Sequence, residues 1–135
     1  MDASRWGLVV ALAALSCARR DLPNRELLQE GRTYTAWLYG NEYNKLWNRF
    51  SPEMRQTFGS VADLATFASR AFKHLGVEQG KVDESVNQAE SLRVYSRSAS
   101  FDKAPHRMLI EWTLARDGAV TGLVVRPEVR DSSTP

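Results

Sequence analysis

The chain has 135 residues, room for one domain of ordinary size and no second. Apolar residues make up 43% and charged residues 25%, which excludes wholesale disorder. A net charge of +2 is too balanced for a chain devoted to nucleic acid, and one cysteine excludes a disulfide framework and a cysteine-rich zinc site.

Arg5 precedes an uncharged run, Trp6 to Leu15. Ten helical residues rise about 15 Å, half of a hydrocarbon core of about 30 Å, so a spanning helix is not expected. A short apolar core behind a basic start, ending in small residues, reads as a secretory signal over residues 1–17. A buried N-terminal helix is the competing reading, but Arg19, Arg20 and Asp21 follow abruptly and no polar face accompanies the run. Ala14-Leu15-Ser16-Cys17 resembles the bacterial lipoprotein box, in which the cysteine becomes the lipidated first residue. Ser16 fits that box, while Ala14 and Leu15 depart from its usual order. The resemblance implies a lipid on Cys17 and an exported, membrane-anchored envelope protein. Ordinary cleavage and release as a soluble secreted protein is the alternative. Residues 18–24 read as a tether that ends in a helix start at Pro23-Asn24.

From Arg25 the apolar spacing is helical: Leu27, Gly31, Tyr34 and Leu38, with Leu28 and Trp37 beside them. Gly40-Asn41 stops it. Glu42 to Arg49 is a second short helix. Ser51-Pro52-Glu53 starts a third, with an N-cap serine, proline at the first position and an acid for the dipole. Ser60 caps a fourth, with Asp63 three residues on, and Gly76 is expected at its C′ position. Tyr34, Trp37, Tyr39, Tyr43, Trp47 and Phe50 crowd the first two helices as core, with a surplus that could line a groove or a partner surface.

After Gly76 the period falls to two. Gly80–Asn87 is a modest strand. Leu92–Phe101 alternates, with Arg93, Tyr95, Arg97, Ala99 and Phe101 on one face. Asp102 to His106 is a loop, and Arg107–Arg116 is the strongest strand. Asp117-Gly118 reads as a two-residue hairpin turn into Ala119–Arg126. That turn would set Leu114 against Thr121, Trp112 against Leu123 and Ile110 against Val125. One face is then apolar, Met108, Ile110, Trp112, Leu114, Leu123 and Val125, and must be covered by the helices. The other, which includes Glu111 and Val120, is mixed. Gly122 in mid-strand suggests a bend or bulge. Residues 128–135 read as a flexible tail.

Helices first and an antiparallel meander after them make an α+β architecture. The helical hairpin, the Phe50-Ser51-Pro52-Glu53-Met54-Arg55 segment, the helix ending Leu75-Gly76 and the strands closing on Asp117-Gly118 and Val125-Arg126-Pro127 resemble the nuclear-transport-factor-two-like superfamily. The resemblance is to its small bacterial exported domains of unknown function and covers residues 25–127. It implies N-terminal helices packed on a curved, cone-like antiparallel sheet of the cystatin-like kind, often with a pocket at the open end. Fold membership does not fix activity.

His74 and His106 are far apart in sequence and form no metal-ligand pair, so no metal is expected. No nucleophile elbow, phosphate loop or dinucleotide fingerprint is present, and no cofactor is implied. Tyr95, Arg97 and Glu111 are the possible pocket residues. If the second strand pairs with the third, Arg97 and Glu111 could form a cross-strand ion pair, as a pocket wall or as an ordinary pair on a wet face. In the ketosteroid-isomerase-like relatives an acid and an oxyanion donor occupy the pocket, but no motif assigns those roles here. Stacking of Arg93, Tyr95 and Arg97 on nucleic acid is disfavoured by the net charge and the export signal.

The favoured reading is a non-catalytic binding or interaction domain, held at a membrane by its lipid and meeting a protein partner or a small ligand. A pocket enzyme would place Glu111 or another acid in a water-poor cavity with a raised pKa. An interaction domain would fill the cavity with Trp112, Phe101 and Met108 and show an apolar patch containing Trp37 or Tyr39. An accessory domain serving a separate hydrolase is the third reading.

Overall fold

The computed structural model describes residues 23–89 and 91–128. The expected signal segment, Cys17 and most of the expected tether lie outside these residues. The chain forms four helices followed by a four-stranded antiparallel sheet, an α+β arrangement in which the helices pack on the sheet.

Among the described residues helix α1 covers 23–39, so Pro23 and Asn24, expected at a helix start, are helical. Its spacing of four, three and four buries Leu27, Tyr34 and Leu38 on one face. Gly31 completes that face. A Cβ there would lie 2.1 Å from Tyr95 Cγ, so glycine is what lets the helix seat on the tyrosine ring. Thr35 donates to the Gly31 carbonyl (2.8 Å) and accepts from the indole N–H of fully buried Trp112 (3.0 Å).

The chain reverses at Asn41, which adopts φ 61°. Helix α2 (Tyr43–Arg49) contributes Leu46 to the core. Helix α3 (Pro52–Phe58) starts as expected: Ser51 Oγ accepts from the Met54 amide at 3.2 Å, and Pro52 and Glu53 occupy the first turn. Helix α4 (Val61–Lys73) is capped by Ser60, whose Oγ accepts from the Asp63 amide (3.1 Å) and donates to its carboxylate (3.0 Å). The C-cap is His74, so Gly76 falls one residue beyond its expected place. Its φ of 77° turns the chain toward the sheet, where Asp102 Oδ1 accepts from the Val77 amide at 2.7 Å.

The strands are β1 (Glu78–Ala89), β2 (Leu92–Phe101), β3 (Met108–Leu114) and β4 (Val120–Pro127), in sheet order β1-β2-β3-β4. Strand β1 is longer than the expected Gly80–Asn87. A bulge between Gln79 and Asp83, with Gly80 at φ 73°, absorbs the irregularity that hides its first residues from the alternation.

The β3–β4 turn corrects the expected hairpin. Gly118 (φ 87°) donates to the Ala115 carbonyl and Ala115 to the Ala119 carbonyl, which leaves Arg116, Asp117 and Gly118 as a three-residue loop. Leu114 therefore opposes Val120, not Thr121. A bulge beside Thr113 then restores the expected pairs Trp112–Leu123 and Ile110–Val125. The bulge also carries Val120 into the core, fully buried, although simple alternation places it on the outer face. Arg49 and Tyr34 hold the turn: Tyr34 OH donates to the Gly118 carbonyl (2.7 Å), and Arg49 donates to Tyr34 OH and to the Asp117 carbonyl (both 3.0 Å).

Trp112, Ile110, Leu114 and Met108 of β3 and Tyr95, Ala99 and Phe101 of β2 form the sheet side of the core. Glu128, expected in the loose tail, is tied down by its amide to the Arg107 carbonyl (2.7 Å). Residues 129–135 lie outside the described residues.

Candidate functional site

Tyr95 and Arg97 both point from β2 toward the helices, and Arg97 Nη1 donates to Tyr95 OH at 3.3 Å. Glu111 does not join them. The register sets Ser96 opposite Glu111 and Arg97 opposite Ile110, so Glu111 lies on the other face of the sheet, accepting from Ser96 Oγ at 2.9 Å. The expected Arg97–Glu111 pair is therefore not formed.

The carboxylates that do meet Arg97 come from β1. Glu78 and Glu84 pair with Phe101 and Arg97 in the β1–β2 ladder and share the helix-facing side with Tyr95. Arg97 grips Glu78 with both arms of its guanidinium, Nε to Oε2 at 3.1 Å and Nη2 to Oε1 at 2.5 Å. Tyr39 of α1 donates to the same Glu78 Oε2 at 2.8 Å. Tyr95 donates to Glu84 Oε2 at 2.6 Å, and Arg32 of α1 holds Glu84 from outside at 2.8 and 2.9 Å. The result is an unbroken chain, Tyr39–Glu78–Arg97–Tyr95–Glu84–Arg32, with two positive and two negative charges. Among the described residues, no buried side-chain polar atom lacks a hydrogen-bond partner.

This mutual pairing sets the protonation states. The Arg32 hydrogen bond is the main cause that holds Glu84 down at about 2, against the opposing effect of burial and with help from Tyr95. Burial first, and then the bond to Glu84, pushes Tyr95 up to about 12. Tyr39 is raised by burial and by its bond to Glu78. Burial disfavours the charge on Arg97, but its bonds to Glu78 and Tyr95 outweigh that and raise its pKa. Tyr39, Glu84, Tyr95 and Arg97 are thereby fixed in their ordinary charge states across the physiological range.

At the Glu78 end the chain borders a cleft of about 480 Å³. It opens between the end of α1, the start of α2, the end of α4 and the start of β1. Leu38, Tyr39, Ala68, Phe72 and Phe101 form its apolar wall, with Asn41, Ser69, Lys73 and Glu78 as its polar groups. Tyr39 packs edge-on to Phe72 and Phe101, with ring centroids 5.3 and 6.2 Å away. Val77, 71% exposed, stands at the mouth. The volume falls within the range of small-molecule sites.

Trp112, Phe101 and Met108 are buried, and Phe101 also shows one surface to this cleft. Of the surplus aromatics, Tyr39 and Tyr43 line it, while Trp37 borders a shallower depression with Glu26, Glu30 and Arg49. His74 and His106 are exposed and belong to neither the cleft nor the polar chain. No group of three potential metal ligands occurs among the described residues, and none of their helices is long and apolar enough to cross a membrane.

Glu78, Glu84 and Arg32 are the site residues that sequence reasoning missed, whereas Tyr39 was among the aromatics expected to line a groove. The alternation Val82, Glu84, Val86 carried a signal for Glu84, because it places the acid on the face of two valines. Nothing local marks Glu78, which meets Tyr39 across 39 residues of chain. Comparison with known proteins finds no matching family model, no matching curated protein and no matching solved structure.

Proposed function

We propose that this chain is a non-catalytic binding domain, exported and tethered to a membrane through lipid on Cys17, which takes a small apolar ligand in the cleft beside Tyr39. The cleft carries the reading: an open, aromatic-walled space of about 480 Å³ next to polar groups that already satisfy one another. The pairing of the acids supports binding over catalysis, since both oxygens of Glu78, the carboxylate in the cleft, already accept from Arg97 and Tyr39. A general base works best with a pKa near the operating pH, and Glu84 is held at about 2 by two donors. A pocket enzyme calls for the opposite shift.

The order of four helices and an antiparallel meander supports the likeness to the nuclear-transport-factor-two-like superfamily as the fold-level part of this proposal. Residues 18–22 lie between Cys17 and the first described residue, Pro23. Fully extended, they reach about 17 Å, so a lipid on Cys17 would keep the cleft close to the membrane surface.

The cleft is tested by titrating the full chain with Nile red, a neutral fluorophore that brightens in apolar sites. Wild type is expected to bind it saturably, and Ser69→Phe, which crowds the cleft from α4, to lose most of that binding at unchanged melting temperature. Val77→Trp at the mouth provides a second block. Equal binding by wild type and both folded variants overturns the cleft as the binding element. The anchor is tested separately by intact mass and detergent partitioning of the chain from its own cells. A diacylglyceryl load on Cys17, lost in Cys17→Ala together with membrane fractionation, is expected. A Cys17→Ala chain that stays with the membrane overturns the anchor.

A further inference from the structure

We infer that the cleft's ligand is a single-chain apolar carboxylic acid whose carboxylate meets Lys73. This rests on the cleft reading above and deepens it.

Two ionised side chains line the cleft, Glu78 and Lys73. They differ in what is left of their charge. Glu78 accepts from Arg97 at both oxygens and from Tyr39 at one, so an incoming cation would have to displace an arginine fork and a tyrosine to reach it. Lys73 makes no hydrogen bond or ion pair with any described residue. It stands in the last turn of α4, where the carbonyl end of the helix offers about half a charge spread over several groups. That partial charge favours a cation there but does not neutralise it.

The cleft therefore presents an apolar wall with one uncompensated positive charge at its edge. The complementary ligand has an apolar body and one negative charge. An alkyl amine finds repulsion from Lys73 and no carboxylate that is not already paired. A neutral alcohol gains the wall and the polar groups of Asn41 and Ser69 but no ionic contact. A phosphate monoester, carrying between one and two negative charges, exceeds what a single ammonium balances. The exposed Val77 extends the apolar surface outward from Leu38 and Phe101, which suits a chain longer than the enclosed space.

Displacement of Nile red by decanoate, decanol, decylamine and decyl phosphate tests this on wild type, Lys73→Ala and Lys73→Glu. Each ligand is compared across the variants, which removes differences in intrinsic hydrophobicity. Decanoate is expected to weaken about two- to fivefold in Lys73→Ala, the range for a partly exposed ion pair, and further in Lys73→Glu. Decanol should be unchanged by either substitution, and decylamine should gain in Lys73→Glu. The decanoate preference should also decline with added salt. Decanoate affinity that ignores the residue at 73, or decyl phosphate binding more tightly than decanoate to wild type, overturns the carboxylate assignment. In either case decanol and Nile red still lost in Ser69→Phe would leave the cleft standing. Nile red binding that survives Ser69→Phe and Val77→Trp removes the cleft itself, so the two failures are distinguishable.

Discussion

Replacing Glu84 with glutamine should destabilise the protein at neutral pH and matter little in acid. The carboxylate moves from an ordinary 4.5 to about 2 on folding, chiefly through Arg32. A tenfold change in acidity corresponds to about 1.4 kcal/mol, which puts a ceiling of about 3 kcal/mol on the coupling. Arg32 is half exposed, with 49% of its side-chain surface accessible, so water and salt screen much of that attraction. An effect of about 1–2 kcal/mol at pH 7 is the expectation. Because the folded pKa is depressed, the contribution is complete above the unfolded pKa near 4.5 and is lost as the pH falls toward 2. Protonated glutamate and glutamine are nearly isosteric, so wild type and Glu84→Gln should converge at the acid end of that window. Urea unfolding of both proteins between about pH 7 and pH 2 measures the gap directly. Other carboxylates titrate alike in both proteins and cancel from the difference. A gap that stays constant through this window would refute the argument, since it would mean that the lost stability does not come from the charge on Glu84.

Gly31→Ala should cost about 1–3 kcal/mol in thermal unfolding, because its methyl carbon would sit 2.1 Å from Tyr95 Cγ; an unchanged melting temperature would mean that α1 does not rest on that ring. Thr35→Val leaves the buried Trp112 N–H without its acceptor and should lose about 1–3 kcal/mol, while Thr35→Ser keeps the oxygen and should lose less; equal losses would deny the hydrogen bond its role. Ser51→Ala removes the cap of α3 and should lower stability by about 1 kcal/mol in urea titrations, with Ser51→Asp largely preserving it.

The helices were legible where capping chemistry is local. Ser51 and Ser60 announce α3 and α4, and the Leu27, Tyr34, Leu38 stripe of α1 is the stripe that is buried. The β3 alternation likewise names its buried face correctly. What local patterning misses are insertions. The β3–β4 loop holds one more residue than a two-residue turn, and the bulge beside Thr113 takes up that residue, so the outer pairs agree while Val120 changes face. In β1 the bulge at Gly80 interrupts the period, and Glu78 before it falls outside any readable strand. The site fared worse for the same reason. Arg97 was identifiable by its place among Tyr95, Ala99 and Phe101, but its partner follows from the register of β1 and not of β3.

The polar chain is better understood as a device that places β1 than as a reaction centre. Among the described residues strand β1 is an edge strand, paired only with β2. An edge strand with unpaired backbone groups invites pairing with another chain, and charged side chains are a usual protection. Here the inward-facing Glu78 and Glu84 do more, because each is gripped from α1, by Tyr39 and Arg32, and from β2, by Arg97 and Tyr95. Burying such acids without partners would be costly, and any sliding of β1 by one residue would turn both away from their donors. The register of the edge is thus specified by charge as well as by pattern. Since Glu78 is also a wall of the cleft, the same bonds that hold β1 in place leave the cleft lined by a neutralised acid and by Lys73, which has no ion-pair partner among the described residues. The selectivity proposed for the cleft follows from the way the edge of the sheet is fastened.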